Sequence, residues 1–541
     1  MGNQSRVLNP GGTPDGAGFY IYFFDDDNGE SPRNDTILVV DCTWQGNTAE
    51  NWGGAIIIYN GHGTDNYFGL SNCLFSENDS EEGGGALNLR NIGANNFMAD
   101  IADCDFENNT TANVGGGIQF QNNSGMGNHF QVTNSNFLNN HADVFGGGFR
   151  MESQVSDASL SFEDCLFDGN SADIDGGGLE VVHFQLGDGQ TTVKNTDFLN
   201  NIAPNEGAGL NFYLEHQADG SLSVEGSRFS GNTNDATGNA EEGAGGFSLN
   251  NFGNGLANVS LQACIFENNS SADGAGAINL YKIGTATTDT VRIENCLLNS
   301  NNGGGWGGGI GVNGRIGLTL ANNTIADNSN GGIIFAGSAL KMQNNILHNP
   351  SLVDFLASSG NVISLGGNLI GDNSMGTLLN NTDQSGADPM FEPGTYQLSE
   401  ESPGVDAGVL PDAPTAYDLA GNARLQGSCI DIGAYESPYD ADPTDCLTIT
   451  DAREVIAAPS MVTIFPNPAA DMTRISLEND WAGELNLRIV NALGQVVHTA
   501  DFEKYGQIVV LELDTSDLPK GLYRALLSNG EAVAVGSFVR M

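Results

Sequence analysis

The stretch Cys104-Asp-Phe-Glu-Asn-Asn-Thr-Thr-Ala-Asn-Val-Gly-Gly-Gly-Ile-Gln-Phe120 contains, in order, a cysteine, a phenylalanine, an asparagine pair, a glycine triplet and an apolar–polar–apolar segment. The same order, with Glu77-Asn78 in place of the asparagine pair, begins 31 residues earlier, at Cys73. Equivalent positions fall at 42, 73, 104, 135, 165, 196 and 227, which are steps of 31, 31, 31, 30, 31 and 31 residues. So regular a period is typical of a repeat array in which each unit buries its apolar face on its neighbours.

The first position of the repeat is a cysteine or a small polar residue. It is occupied by Cys42, Cys73, Cys104, Cys165, Cys264 and Cys296, and by Ser135, Thr196 and Ser227 where cysteine is missing. Cysteines that recur at one register are expected to be buried, either as free thiols that pack like small apolar residues or within disulfide range of a neighbouring coil. The spacing leaves both alternatives open, for example for Cys73 and Cys104.

The segment after the glycine cluster has the period of a strand with one buried face. Two apolar columns flank a polar one. The first column is Leu87, Ile118, Phe149, Leu179, Leu210, Phe247 and Ile278, the second is Leu89, Phe120, Met151, Val181, Phe212, Leu249 and Leu280, and the polar column is Asn88, Gln119, Arg150, Glu180, Asn211, Ser248 and Asn279.

No amphipathic helix of useful length interrupts the array, which favours an all-β fold. Short strands, glycine and asparagine corners and a fixed period predict a parallel β-helix with coils of about 31 residues. The general rule for parallel crossovers predicts that it is right-handed. Coils about 4.8 Å apart would stack the phenylalanines inside and the asparagines as a ladder at a corner.

Composition narrows the class of protein. The 541 residues carry 67 acids against 18 lysines and arginines, a net charge of −49. This charge repels nucleic acid and anionic membranes, so neither is an expected partner. It is compatible with bound Ca²⁺, for instance at Asp25, Asp26 and Asp27, although a solvated acidic surface is the simpler interpretation. The sequence contains no stretch that predicts a transmembrane segment.

The N-terminus has no signal peptide, because Met1-Gly-Asn-Gln-Ser5 lacks a basic and apolar start. The segment 16–24 already has the pattern of a repeat strand. We therefore expect that the chain starts inside the array and that its N-terminus is truncated.

The chain divides into four predicted regions: a β-helix array at 1–386, a terminal cap at 387–437, a linker at 438–459 and a separate C-terminal domain at 460–541. The cap contains Asp388-Pro-Met-Phe391, Ser402-Pro-Gly-Val-Asp-Ala-Gly408 and Asp431-Ile-Gly-Ala-Tyr-Glu436. These motifs and their order resemble the terminal segment of choice-of-anchor Q β-helix proteins of bacterial surfaces. Cys429 in the cap and Cys446 in the linker lie outside the cysteine column and are expected to pair with each other.

Residues 460–541 contain about seven short strand patterns, which indicates a small Ig-like β-sandwich. Sequence motifs are present at Pro466-Asn467-Pro468, at Asn491-Ala-Leu-Gly494-Gln and at Leu518-Pro-Lys-Gly521-Leu-Tyr523. The domain resembles the type A C-terminal sorting domain of the type IX secretion system. The resemblance implies that the secretion machinery is a partner, and that the protein is exported and then anchored to the cell surface or released.

An active site is not evident from the sequence. Arg150, Glu152 and Glu180 fall on one face of two neighbouring coils, whereas strict alternation would turn the nearby His183 inward unless the strand ends first. Structural ion pairing is the favoured interpretation of this cluster, and catalysis is the alternative. His62, His129, His141, His216 and His348 share no spacing, and no nucleophile elbow, phosphate loop or HExxH motif is present.

Tyr59, Tyr213 and Tyr281 occupy equivalent outward positions, where aromatic rings could stack on sugars. We therefore expect a secreted, adhesin-like or structural surface protein that binds extracellular polysaccharide or other surfaces. The alternative is a carbohydrate-active enzyme of the β-helix type, either a lyase or a hydrolase.

Overall fold

The computed structural model describes residues 19–23, 35–61, 65–154, 158–184, 188–235, 243–350, 352–410, 415–426, 429–439, 454–456, 461–465, 469, 472–478, 481, 483–491, 496–504, 508–516, 518–529 and 533–540. The chain divides into two compact units. The first comprises residues 1–292 and 301–303, and the second comprises 293–300 and 304–541.

The first unit is a parallel β-solenoid in which each coil contributes one strand to each of three sheets. Sheet A contains Phe19–Phe23, Ile56–Asn60, Leu87–Asn91, Ile118–Asn122, Phe149–Ser153, Leu179–His183, Leu210–Leu214, Phe247–Asn251 and Ile278–Lys282. Sheet B contains Thr36–Val40, Tyr67–Ser71, Met98–Ala102, His129–Thr133, Ala158–Glu163, Asp188–Lys194, Asp219–Glu225 and Ala257–Gln262, and the next strand, Asp289–Glu294, includes the boundary of the units. Sheet C contains Thr43–Gln45, Leu74–Ser76, Asp105–Glu107, Asn136–Leu138, Leu166–Asp168, Asp197–Leu199, Arg228–Ser230 and Ile265–Glu267.

Two-residue strands close most of these coils between sheets C and A, and a single bridging residue, Ile202, takes this place between Ser171 and Thr233. The two-residue strands are Thr48–Ala49, Asp79–Ser80, Thr110–Thr111, His141–Ala142 and Ser171–Ala172, followed by Thr233–Asn234 and Ser270–Ser271. We call this row the corner ladder. The register is the repeat of the sequence, since Phe106 pairs with Phe75 and Phe137 and each of these pairs is 31 residues apart. The predicted parallel array of strands is therefore confirmed.

A stack of phenylalanine rings forms the centre of the first unit. Phe75, Phe106, Phe137, Phe167, Phe198, Phe229 and Phe266 follow one another with ring centroids 4.5–5.0 Å apart and nearly parallel planes. All are fully buried. Each ring lies against the equivalent ring of the next coil. A shift in the register of the strands would therefore separate the rings and expose apolar surface.

A buried asparagine ladder accompanies the ring stack. The backbone N–H and the side-chain Nδ2 of Asn109 both donate to Oδ1 of Asn140, at 3.0 and 2.9 Å. The same Nδ2 also donates to the carbonyl of Phe75, at 3.0 Å. This pattern repeats along Asn78, Asn109, Asn140, Asn170, Asn201, Asn232, Asn269 and Asn301. The predicted ladder of asparagines is confirmed. Its side chains form hydrogen bonds with backbone groups that, because the chain bends there, have no partner within the sheets.

The asparagine before each ladder asparagine has a different role. Asn108, Asn139, Asn200 and Asn268 have φ of 52–55°, in the left-handed region, and glycine replaces asparagine at Gly169 and Gly231. Asparagine and glycine adopt this conformation at the lowest cost. In each asparagine pair, the first residue therefore turns the chain and the second joins the coils.

The cysteine column is buried and consists of free thiols in the described part of the first unit. Cys73, Cys104, Cys165 and Cys264 are buried, whereas Cys42 on an early coil is partly exposed. The thiol of Cys104 donates to the carbonyl of Ala102, 3.1 Å away. Ser135, which occupies the same position, donates to Thr133. Burial raises the pKa of Cys104 to about 12, so this thiol stays protonated and unreactive.

The second unit begins with shorter coils. Its sheet A strands are Ile310–Gly314, Ile333–Ala336 and Phe355–Ala357, and its sheet B strands are Ile316–Ala321, Ala339–Gln343 and Asn361–Ser364. Its sheet C strands are Leu297–Asn299, Thr324–Ala326, Ile346–His348, Leu369–Ile370 and Gln384–Ser385, and a 3-10 turn covers Gly376–Leu378.

Two asparagine ladders in the second unit end on an aspartate. One runs through Asn328 and Asn349 to Asp354, whose Oδ1 accepts the Asn349 side chain at 3.0 Å. The other runs through Asn345 and Asn368 to Asp383. The side-chain oxygen of each ladder residue accepts hydrogen bonds from the asparagine of the preceding coil. The last residue of a ladder has no further ladder residue to which a side-chain amide could donate. A carboxylate, which only accepts, suits this terminal position.

Asp354 makes the stability of the second unit depend on pH. Burial and the neighbouring Asp372 carboxylate raise the pKa of Asp354 from 3.8 to about 6. The folded state thus binds this proton more tightly than the unfolded chain, so the stabilisation is complete below about pH 3.8 and is lost as the pH rises through 6. We expect denaturant unfolding to show a loss of about 2–3 kcal/mol across this window.

The matched variants are Asp354→Asn and Asp388→Asn. Asp388 is exposed in the same unit and accepts one local backbone hydrogen bond. Asp354→Asn should flatten the pH dependence and Asp388→Asn should preserve it. An unchanged slope in Asp354→Asn would show that another group causes the dependence.

The predicted cap segment covers one side of the last coils. Val409 and Asn344 exchange two hydrogen bonds, and Leu398, Val405 and Ile432 pack on Ile346 and Leu369. Leu297, Thr324, Ile346 and Leu369 point outward from sheet C and are buried. In the first unit, the equivalent row mixes polar residues such as Asp105 and Asn136 with apolar ones such as Leu74 and Leu166, which are partly exposed. The packing of the covering segment therefore accounts for the burial of this row in the second unit.

The C-terminal region contains two antiparallel sheets. One has the strands Met461–Phe465, Met472–Glu478 and Ile508–Asp514, and the other has Val496–Lys504, Gly483–Asn491, Gly521–Ser528 and Val533–Arg540. Ile475 and Leu513 of the first sheet and Leu487 and Phe538 of the second belong to one hydrophobic core. In the predicted linker, Glu454–Ile456 pairs antiparallel with Asn361–Ser364. Among the described residues, no helix is long and apolar enough to cross a membrane.

Candidate functional site

The outward face of sheet A carries two parallel rows of side chains. The row nearer the start of each strand is buried although it points away from the solenoid interior. We call it the covered row: Asn88, Gln119, Arg150, Glu180, Asn211, Ser248 and Asn279. The second row, which we call the outer row, contains Tyr22, Tyr59, Arg90, Gln121, Glu152, Val182, Tyr213, Asn250 and Tyr281.

The covered row is buried because the chain folds back over it just before each glycine cluster. The residues that fold back are Trp52, Gly83, Val114, Phe145, Asp175 and Glu206, and each forms a parallel bridge to the next. Gly146 follows Phe145 with a φ of 68°, and a Cβ there would lie 2.5 Å from the Cβ of Arg150. The next glycine, Gly147, would place a Cβ 2.3 Å from the carbonyl oxygen of Ser171. The glycine clusters therefore permit close packing of backbone on sheet A.

Arg150 is the centre of a buried ion-pair network in the covered row. Its Nε donates to Glu180 at 2.9 Å and its Nη1 donates to Glu152 at 2.7 Å. The side chains of Arg150 and Glu180 are only 7% and 4% exposed. Burial opposes the positive charge, but the two carboxylates outweigh it and raise the pKa of Arg150. The guanidinium carbon also lies 5.5 Å from the centre of the Phe145 ring.

His183 lies on the opposite side of the sheet from this network. It is fully buried in the interior, where its ring meets Phe212 edge-on with centroids 5.6 Å apart. A Cβ at Gly189 would come within 2.0 Å of the imidazole, so the ring fills the space that this glycine leaves. Alternation along Leu179–His183 therefore continues to the end of the strand, and the structure does not bring His183 to Glu152.

An aromatic cluster marks the N-terminal end of the outer row. Tyr22 and Tyr59 stack with ring centroids 5.3 Å apart. The guanidinium carbon of Arg90, on the next coil, lies 4.3 Å from the centre of the Trp52 ring and 5.6 Å from that of Tyr59. These side chains are partly exposed and present ring faces and a cation together.

A second aromatic cluster lies further along the same row. The Tyr213 ring is 5.3 Å from Phe252 and 6.4 Å from Phe184, and Phe252 is 5.6 Å from Tyr281. Asn250 lies between the two tyrosines in register and is fully buried; its Nδ2 donates to Asn211, whereas its Oδ1 has no hydrogen-bond partner within the described part of the chain. Burial and nearby carboxylates, Glu215 first among them, raise the pKa of Tyr213, which keeps its hydroxyl protonated.

The register places the two clusters five coils apart. Tyr59 pairs through Arg90, Gln121, Glu152 and Val182 to Tyr213. At about 4.8 Å per coil, the two tyrosines are separated by about 24 Å along the row. Arg90, Gln121 and Glu152 place guanidinium, amide and carboxylate groups on the strip between them, and Val182 is buried there. An extended polar chain with ring faces that can stack is the ligand geometry that this arrangement suits.

Several site residues were not found from the sequence. Trp52, Arg90 and Asn250 complete the two clusters, and Phe184 and Phe252 lie beyond the strand ends. Arg90 and Asn250 share the register of Tyr59, so the repeat in the sequence was sufficient to predict every member of the outer row. The contact of Trp52 with Arg90 depends on the chain folding back over sheet A, which no pattern in the sequence predicts.

Some of the other site residues predicted from the sequence lie outside the described ranges, and some lie within them. Asp25, Asp26, Asp27, Cys446, Pro466, Asn467, Pro468 and Gly494 lie outside the described residues, so the Ca²⁺ site and most of the sorting motif remain predictions. Cys429 is buried and disulfide-bonded, and its pairing with Cys446 remains a prediction. Gly521 begins a strand, and the buried Tyr523 donates its hydroxyl to the carbonyl of Pro519 at 2.7 Å.

Comparison with protein families identifies the C-terminal region. Residues 463–539 match the family described as "Secretion system C-terminal sorting domain". No curated protein matches the chain. The match confirms the sorting-domain prediction, and it implies secretion to the cell surface through the type IX machinery. A parallel β-solenoid is compatible with a surface protein.

Proposed function

We propose that this protein is a cell-surface binding protein whose solenoid holds a neutral extracellular polysaccharide along the outer row of sheet A. The observation that carries the proposal is the pair of aromatic clusters around Tyr59 and Tyr213, on one row of a secreted solenoid. Aromatic rings stack on the apolar faces of sugar rings, and the amides and charged groups between them can bond hydroxyls.

The net charge of the protein indicates whether its polysaccharide ligand is acidic or neutral. The net charge of −49 repels acidic polysaccharides in the same way that it repels nucleic acid. The tyrosines and Gln121 make no demand for a charged ligand. A neutral polysaccharide is therefore the proposed partner, in an adhesin-like or structural role.

Binding without cleavage is the preferred form of the proposal. A hydrolase needs one carboxyl group free to donate a proton and another free to attack or to activate water. Here Glu152 and Glu180 are both held by the same Arg150 guanidinium, and Glu180 is buried under the folded-back chain. This arrangement favours a structural role for the acids over catalysis.

Finer assignments belong to the same proposal. We infer a right-handed solenoid, a sorting domain of Ig-like sandwich form, and a choice-of-anchor Q relationship for residues 387–437. The general rule for parallel crossovers supports the first. The two antiparallel sheets around one core support the second, and the quoted motifs support the third.

A glycan-panel assay on the full chain tests the function. We expect retention of one neutral polysaccharide without new chain ends, and about tenfold weaker binding for Tyr59→Ala and for Tyr213→Ala, which is 1.4 kcal/mol each. Affinity electrophoresis measures the binding, and a reducing-end and unsaturated-end assay measures cleavage in the same samples.

Tyr417→Ala is the matched control, because Tyr417 is 64% exposed but lies outside the outer row. Its binding should equal that of the unsubstituted protein. Equal binding by Tyr59→Ala and Tyr213→Ala would contradict the proposed surface. Product formation that disappears in Glu180→Gln would instead make the protein an enzyme.

A further inference from the structure

Three potential metal ligands meet on the corner ladder, away from sheet A. His141 begins one two-residue strand, and Asp143 follows that strand on the same coil. On the next coil Ser171 pairs with His141 and Ala172 with Ala142, so Asp173 takes the position equivalent to Asp143. One imidazole and two carboxylates therefore project from two adjacent coils of fixed register.

The distances between the three groups are close to those of a coordination sphere. His141 Nε2 lies 3.2 Å from an Asp143 oxygen and 4.0 Å from an Asp173 oxygen. One ligand atom from each residue falls within 4.8 Å of the other two. Two ligands bound to Zn²⁺ at about 2.1 Å in a tetrahedral arrangement are about 3.4 Å apart. Small side-chain rotations would bring the three atoms to these positions.

The second nitrogen of the imidazole already has a partner. His141 Nδ1 lies 2.8 Å from the hydroxyl oxygen of Ser171 on the next coil. When Nδ1 donates its hydrogen to this oxygen, Nε2 carries the lone pair that a metal needs. A hydrogen bond of this kind fixes the tautomer and the ring orientation of metal-binding histidines.

The backbone around the three ligands is rigid. The N–H of Asp143 donates to Thr111, and that of Asp173 donates to Ala142, at 3.0 and 3.1 Å. The neighbouring coils add no competing charge at this position, because the equivalent residues are Ala112 and Pro204. Two adjacent carboxylates on one row repel each other unless a cation lies between them.

We propose that His141, Asp143 and Asp173 bind a divalent first-row transition metal ion, with Zn²⁺ as the representative. One nitrogen and two carboxylate oxygens suit Zn²⁺ better than Ca²⁺ or Mg²⁺, which prefer oxygen ligands alone. The side chains are 36%, 55% and 66% exposed, so water or an external group completes the coordination. The ion joins two coils at the surface, independently of the polysaccharide proposal.

His129 provides a matched control from the same protein. Its Nδ1 lies 2.6 Å from the hydroxyl of Ser159 on the next coil, which reproduces the pairing of His141 with Ser171. The residues two positions further on are Gln131 and Ser161, so neither of these two positions holds a carboxylate. The two histidines differ in the groups that would complete a metal site.

Equilibrium dialysis of the full chain against Zn²⁺ tests the proposal, with Ca²⁺ and Mg²⁺ in large excess to occupy sites made of oxygen alone. We expect one tightly bound Zn²⁺ fewer per chain in His141→Ala and in Asp173→Asn than in the unsubstituted protein and in His129→Ala. Ser171→Ala should keep the site but weaken it about tenfold.

Circular dichroism without metal checks that each variant is folded. A Zn²⁺ count that is unchanged in His141→Ala would overturn the proposal. An equal loss in His129→Ala and His141→Ala would also contradict it, because the bound metal would then depend on imidazole alone. Neither result would affect the polysaccharide assay, which tests different residues, those of the outer row of sheet A.

Discussion

Replacing Asn140 with alanine is expected to lower the free energy of unfolding by about 3–5 kcal/mol, because it removes an internal member of a buried ladder. Asn140 Oδ1 accepts two hydrogen bonds from Asn109, at 3.0 and 2.9 Å. Its Nδ2 donates to Phe106 and to Asn170, at 2.8 and 3.0 Å. Alanine leaves these partners buried and without the bonds, which costs more than the bonds contribute when made. Denaturant unfolding followed by circular dichroism measures the change.

Asn136→Ala is the control for this prediction. Asn136 lies on the same coil and is partly exposed, and its side chain makes one hydrogen bond, of 2.7 Å, to Asp105. Its loss should cost less than about 1 kcal/mol. If the two variants unfolded at the same denaturant concentration, the ladder would contribute nothing beyond an ordinary surface hydrogen bond.

Replacing Arg150 with methionine is expected to destabilise the first unit by about 3–5 kcal/mol at neutral pH, because it leaves the Glu180 carboxylate buried without its cation. Burial already raises the pKa of Glu180, and the loss of Arg150 removes the main group that lowers it. The folded state then binds a proton more tightly than the unfolded chain. The loss of stability should therefore be smallest below pH 4.5 and should grow as the pH rises.

Arg228→Met is the matched control, since Arg228 also pairs with a glutamate on the next coil, Glu267. Their side chains are 45% and 22% exposed, so water screens the pair and its removal should cost less than about 1 kcal/mol. Thermal unfolding at pH 4 and pH 7 measures both variants. Equal effects of the two substitutions, or an effect of Arg150→Met that is the same at both pH values, would contradict the buried-charge argument.

The repeat predicted the stacked features well. The recurrence of phenylalanine at the position of Phe106 predicted the ring stack, because equivalent residues of a parallel solenoid are neighbours. In the same way, the positions of Asn109 and Cys104 predicted the asparagine ladder and the buried cysteine column. The sorting domain was also predicted, from motifs local to residues 463–539. Arg150 and Glu180 were placed correctly on one face. That this face is buried was not predicted, since outward alternation ordinarily means exposure to water.

The repeat alone determined the register of the coils. Equivalent residues stack because each coil buries its apolar face on the next, whether they lie 31 positions apart, as Phe75 and Phe106 do, or 37, as Phe229 and Phe266 do. Tertiary packing, by contrast, determines which outward residues remain accessible to solvent. Phe145 covers Arg150, and the segment around Val409 covers Ile346. Whether water is excluded from an outward side chain depends on which part of the chain packs over it, and the period-two alternation of a strand carries no information about that packing.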